Sequence, residues 1–233
     1  MQQTPATVTI GMLIFPRMTQ LDFTGPFEVF ARIPAAKVYV LWKQIEPVIS
    51  DTGLAILPTT TLHDCPQLDI ICIPGGPGQI AVMDDEQIIT FVRERGERAK
   101  FVTSVCTGSL VLGAAGLLKG YKAGTHWMSR EQLTYFGATP VASRIVVDRN
   151  RITGGGVTAG IDLGLYLASL LTTEQIARAI QLSLEYDPVP PFNSGSPESA
   201  GPEMVATIRQ RAAAMLSERL AATKRAAARL GIR

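Results

Sequence analysis

Apolar positions along this chain follow two alternating rhythms. Near-continuous apolar runs, the mark of strands covered on both faces, stand at 7–15, 38–42, 69–73 and 101–105. Between them the spacing turns helical: Ile88, Ile89 and Val92 put one apolar face on a predicted helix over 85–98. Small and apolar residues predict further helices over 108–118, about 158–171 and 173–186. Thr24 is expected to cap a helix that starts near Gly25-Pro26. Residues 47–62 alternate around Asp51-Thr52-Gly53, which predicts a β-hairpin excursion. Residues 123–127 read as a short strand, with a capping-box helix starting at Ser129, three residues before Gln132. Residues 141–147 and 151–153 flank Asp148-Arg149-Asn150 as a second hairpin. Strands alternating with helices imply a mostly parallel central sheet with helices on both faces, a three-layer α/β sandwich of the flavodoxin-like kind. A Pro-, Gly- and Ser-rich loop over 187–202 follows, and Met204, Ile208, Ala212, Met215 and Leu220 trace one face of a closing helix. The expected division is an α/β domain over 1–186, then a loop and C-terminal helix over 187–233 packing on that domain or on a dimer partner.

One junction stands out. The β-branched run Phe101–Val105 ends abruptly at Cys106, and Thr107-Gly108-Ser109 opens a small-residue helix at once. That is the sequence form of a nucleophile elbow, a sharp strand-to-helix turn that lifts a reactive side chain above the sheet edge. A cysteine there lies beside a helix N-terminus, where free N–H groups favour thiolate. Backbone N–H groups of Thr107 and Gly108 are expected near the sulfur. A buried structural cysteine is the competing reading. In open parallel sheets, sites form outside the carboxyl ends of the strands. Asp22, Gly75-Gly76, Cys106 and the run Gly154-Gly155-Gly156, followed by Val157, all fall at such ends. The glycines let backbone approach a ligand closely, or simply turn the chain. Asp22 lies between Leu21 and Phe23, a setting that raises a carboxyl pKa, unless it serves as a helix cap. His63 reads as a surface residue and His126 as a structural one.

Composition narrows the options. At 46% hydrophobic and 18% charged residues, the 233-residue chain can bury a large core. A net charge of +2 gives no general pull toward nucleic acid or membrane. The basic excess over 203–233 reads as a solvated helix face. Three cysteines without a Cys-x-x-Cys pair or a histidine cluster indicate neither a disulfide framework nor a zinc site. With no leader pattern and no long apolar span, the expectation is a reduced, cytoplasmic protein.

The motifs Leu21-Asp22-Phe23-Thr24-Gly25-Pro26, Ile73-Pro74-Gly75-Gly76, Val105-Cys106-Thr107-Gly108 and Thr153-Gly154-Gly155-Gly156 resemble the ThiJ/PfpI superfamily. Its fold is similar to class I glutamine amidotransferase domains. Residues 103–118, Thr125-His126-Trp127, Leu184-Glu185-Tyr186 and Pro190-Pro191-Phe192-Asn193 resemble the members that hydrate isonitriles. The resemblance implies a homodimer, Cys106 as nucleophile and Asp22 as acid, with no metal or organic cofactor. Thr107 is then the residue that positions the pair, and Gly75, Gly76, Gly155, Gly156 and Val157 shape the substrate environment. It implies hydration of an isonitrile to an N-substituted formamide through a thioimidate. Thr107 stands where the superfamily's peptidases carry His, and the downstream His–Glu pair of the amidotransferases is missing. Related transcription regulators add a helix-turn-helix domain, for which 203–230 is too little. Two rival functions share the thiol: a redox or stress sensor that oxidises stoichiometrically, and a hydrolase of other small electrophiles.

Overall fold

The computed structural model describes residues 7–232. β1 (Val8–Leu13) leads through Pro16 into α1 (Gln20–Phe30), and β2 (Ala36–Trp42) returns beside β1 in parallel. β3 (Val48–Ile49) and β4 (Ala55–Ile56) form the expected antiparallel hairpin, and β5 (Thr60–Thr61) pairs with β2. β6 (Ile70–Ile73), α2 (Gln79–Asp84), α3 (Glu86–Arg98), β7 (Phe101–Ser104) and α4 (Gly108–Ala114) carry the chain through the elbow. β8 (Lys122–Ala123) pairs with β9 (Thr139–Pro140) around a 3-10 helix over Trp127–Phe136. The antiparallel pair β10 (Ile145–Asp148) and β11 (Arg151–Gly154) precedes α5 (Ala159–Leu171) and α6 (Glu174–Ser183). The tail holds α7 (Pro197–Ala200), α8 (Pro202–Arg211) and α9 (Ala213–Arg229).

The central sheet has seven strands in the order β10-β11-β7-β6-β1-β2-β5. Every pairing in it is parallel except β10 with β11. β2 and β6 thus flank β1, and the topology reverses there. Ile10, Met12, Leu13, Ile70, Ile71 and Ile73 are fully buried. This explains the unbroken apolar runs, since a strand covered on both faces has no polar side to display.

Three expectations need correction. α1 starts at Gln20, with Thr19 at its cap position, and Thr24 lies inside it, its hydroxyl donating back to Gln20 O at 3.1 Å. Tertiary packing carries the helix through Pro26, against which Gly160 of α5 fits so closely that a Cβ there would lie 2.7 Å from the ring. Residues 123–127 contribute only the end of β8 as strand; His126, not Ser129, occupies the cap of the following helix, which is 3-10. The closing helix breaks at Ala212 into α8 and α9. The break leaves Met204 and Ile208 exposed on α8, while α9 buries Arg219, Ala222, Thr223, Ala226 and Ala227 against α2, α4 and the 3-10 helix. Arg225 and Arg229 clamp Asp84 at the end of α2, at 2.5 and 3.0 Å. Among the described residues, no helix is long and apolar enough to cross a membrane.

Candidate active site

The elbow begins where β7 runs out. Val105 N donates to Ile73 O at 3.0 Å and Cys106 N to Gly154 O at 3.1 Å, so both neighbouring strands hold the turn. Cys106 then takes φ +55°. For a side chain with a Cβ, that conformation costs about 1–3 kcal/mol and persists only where surroundings impose it. The surroundings here are hydroxyls: Thr125 Oγ1 donates to Cys106 O at 2.9 Å and Ser109 Oγ to the same oxygen at 3.3 Å. The residue is 5% exposed.

Asp22 arrives from the first turn of α1, fully buried. It caps nothing; its Oδ2 reaches across to the β6 loop and accepts from Gly75 N at 2.9 Å. Its Oδ1 is buried without a hydrogen-bond partner among the described residues. Burial pushes the carboxyl up to about 7, against the lowering effects of Gly75 N–H and the Cys106 thiol. Burial, and then the Asp22 charge, push the Cys106 thiol well above its ordinary value, while Thr107 N–H and the Arg219 guanidinium draw it down. The two groups therefore compete for one proton. When Asp22 keeps it, the second upward force on the thiol disappears. Burial still raises the thiol, but its nearest acidic neighbour is then neutral.

Thr107 connects the two halves of this pair. Its hydroxyl accepts from Gly76 N at 3.0 Å, locking the β6 loop to the elbow. Gly75 must be glycine: a Cβ there would fall 2.4 Å from Thr107 N and 2.9 Å from Asp22 Oδ2. Gly76 combines φ +115° with a contact its Cβ would make at 2.3 Å to Thr19 N. Of the two N–H groups expected at the sulfur, Thr107's acts on it, whereas Gly108 N is spent on Val105 O at 3.0 Å. Gly75 N and Gly76 N are likewise committed to Asp22 and Thr107, so they shape the site without offering free donors.

Gly155, Gly156 and Val157 lie on the far side of the elbow. With Thr125, His126, Trp127 and Arg130 they line a cavity of about 500 Å3. It meets the elbow at Thr125 and at Gly155, the neighbour of the carbonyl that holds Cys106 N. His126 is no base here: burial, then Arg219 and Arg130, push it down to about 4, so it is neutral near pH 7. His63 is exposed. Among the described residues, no cluster of His, Cys, Asp or Glu is arranged to hold a metal.

Arg219 is the group that the sequence reading missed. The basic excess over 203–233 suggests a solvated face, yet Arg219 is 3% exposed and its guanidinium acts on both Cys106 and His126. A signal existed, because Arg219, Ala222, Thr223, Ala226 and Ala227 form a small-residue stripe at helical spacing headed by a cation.

The profile of the DJ-1/PfpI family matches residues 8–170, from β1 to the end of α5. The chain is 53% identical over 224 residues to the isonitrile hydratase of Pseudomonas putida, covering 96% of this chain and 98% of the relative. A crystal structure of a ThiJ/PfpI family protein from Pseudomonas syringae superposes with a TM-score of 0.91 at 45% identity, over 95% of this chain and 93% of that one. DJ-1beta from Drosophila melanogaster shares the fold at a TM-score of 0.71 and 21% identity, over 77% of this chain and 98% of that one. Because the family profile spans more than half of its length, the chain belongs to the DJ-1/PfpI family.

Proposed function

We propose that the protein hydrates isonitriles to N-substituted formamides by covalent catalysis at Cys106, with Asp22 as the proton carrier. The observation that carries this reading is the near-full-length similarity to an isonitrile hydratase at 53% identity. The site supports it because an isonitrile's terminal carbon must accept a nucleophile and a proton together. A thiolate beside a neutral, buried carboxylic acid supplies both.

The Cys106 thiolate attacks the terminal carbon, and the Asp22 proton passes to that same carbon. A C–S and a C–H bond form, giving a thioimidate with a C=N double bond. Water then adds to the thioimidate carbon while Asp22, now a carboxylate, takes one of its protons and relays it to nitrogen. The remaining hydroxyl proton returns to Asp22 as the C–S bond breaks and the carbonyl forms. Thiolate, acid and formamide result, and the sum is one isonitrile and one water consumed. Thr107 keeps the Gly75 loop, and so Asp22, in line with the sulfur. The cavity beside Gly155, Gly156 and Val157 accommodates the isonitrile's substituent.

We place the working form in the cytoplasm as a homodimer that takes a small-molecule substrate. Three free cysteines fit a reducing compartment. Leu182, Val189 and Phe192 are 82%, 85% and 78% exposed, apolar surface suited to a second copy. Incubation of the purified protein with a simple alkyl isonitrile, followed by chromatography, tests the activity. The N-alkylformamide should accumulate over many turnovers. Stoichiometric thiol oxidation without any formamide would instead support a sensor.

A further inference from the structure

We propose that Arg219 is a positioning residue for Cys106, its buried guanidinium serving as the counter-charge of the catalytic thiolate. The proposal rests on Cys106 being the reactive thiol of the reading above. It assigns to the C-terminal helix a part in a site that the family profile, ending at residue 170, does not reach.

Arg219 sits between the two loops that flank the elbow. Nη1 donates to Ser129 Oγ at 3.1 Å, just beyond the Thr125-His126 turn whose threonine holds Cys106 O. Nε donates at 3.3 Å to the side-chain oxygen of Gln79, in the amide orientation that also lets Ile80 N donate to it. Gln79 opens α2 directly after the Gly75-Gly76 loop that carries the Asp22 contact. A third contact, from Nη2 to Met215 Sδ at 3.5 Å, stays within α9. All three partners are neutral, and among the described residues no carboxylate forms a salt bridge with Arg219.

A charge taken out of water without a partner is expensive, so a buried arginine is retained where something needs its field. Burial lowers the basicity of Arg219, and the group that partly offsets this is Cys106. The action is mutual, since Arg219 draws the thiol down. The charged or titratable groups around the sulfur are Asp22 from α1 and Arg219 from α9, with Cys72 of β6 beyond Asp22 and His126 and Arg130 beyond Arg219. Cys72, pushed up to about 12, and His126, pushed down to about 4, stay neutral across the working range. The charge balance at the sulfur is set by Asp22 against Arg219.

Site-resolved alkylation of Cys106 by iodoacetamide, read by mass spectrometry from pH 5.5 to 9.5, tests this without an isonitrile. Arg219→Met and Arg219→Gln, two neutral side chains of different shape, should alkylate about tenfold more slowly near pH 7 and move the rising limb to higher pH. Arg219→Lys restores the charge on a different head group and should keep the wild-type limb. Ser129→Ala unties Nη1 but leaves the charge, so its limb should also stay in place. A folded neutral variant with the wild-type limb overturns the proposal. So does a Ser129→Ala limb displaced upward, because packing rather than charge would then set the thiol. A protein that alkylates as expected yet forms no formamide contradicts the proposed reaction and leaves the Arg219 assignment standing.

Discussion

The elbow and the arm over 187–196 are opposite solutions to the same chain chemistry. At the elbow, Asp22, Cys106 and Thr107 are at most 5% exposed, and each polar atom but one is committed to a named partner. In the arm, Val189 and Phe192 are exposed and no regular element forms before Ser196 caps α7. A site built by interlocked backbone turns tolerates almost no change in shape, whereas an arm lying on the surface tolerates change until a second molecule is needed. The exception at the elbow, Asp22 Oδ1, is where our mechanism stores the proton.

That contrast is broken most severely by Cys106→Ala. The variant should fold, since it removes only the sulfur and leaves the turn at φ +55° held by the same backbone hydrogen bonds, and formamide production should fall to the buffer rate. Next comes Asp22→Asn, which keeps the size and removes the proton. General acid–base assistance is worth about 10²–10⁴-fold, and turnover should fall by at least that order.

Stability should move the other way. Asp22 titrates at 3.8 ordinarily and at about 7 in the fold, so the folded chain binds more protons than the unfolded one between those values. Its contribution is therefore lost as pH rises from about 4 to about 7. His126 has the opposite sign: lowered from 6.5 to about 4, it adds stability as pH rises through that window. The two nearly cancel in the wild type. Urea unfolding of Asp22→Asn should show stability climbing toward pH 6.5 and exceeding wild type above pH 7. An Asp22→Asn curve that keeps a constant offset from wild type across pH 4 to 7 would remove the buried acid from the account.

Gly75→Ala is a smaller insult to the same lock. Its Cβ, 2.4 Å from Thr107 N, must push the elbow and the β6 loop apart. A displacement near 1 Å costs about 10²-fold in rate, so turnover should drop while far-ultraviolet circular dichroism stays native. In the arm, Phe192→Ser should leave thermal stability within about 0.5 kcal/mol of wild type and weaken self-association in sedimentation. Cys65→Ser should be the mildest change, since Cys65 lies in a loop away from the elbow, and unaltered formamide rates are expected.

How much of this could be read in advance follows the same division. Strands β1 and β6 were legible because parallel strands buried on both faces leave a near-continuous apolar signature, and β7 because it ends at the elbow. Cys106 was legible because a strand running straight into a small-residue helix has few other meanings. Asp22 was found, but its helix was placed one turn late. Thr24-Gly25-Pro26 imitates a helix start, yet the helix runs through it, with Gly160 packed closely against Pro26. The break at Ala212 escaped notice because alanine carries no local signal for it. Arg219 escaped because seven basic residues over 203–233 look alike in sequence, and packing alone decides which of them turns inward.

The central claim is that Cys106 and Asp22 share one proton, with the acid neutral when the thiolate forms. The most direct measurement is the pH dependence of Cys106 alkylation in wild type and in Asp22→Asn. Removing the carboxylate removes the charge that raises the thiol. The rising limb should therefore shift to lower pH and alkylation should quicken above pH 7, in the same variant whose isonitrile turnover has collapsed. A limb that stays in place, or moves to higher pH, would contradict the shared proton.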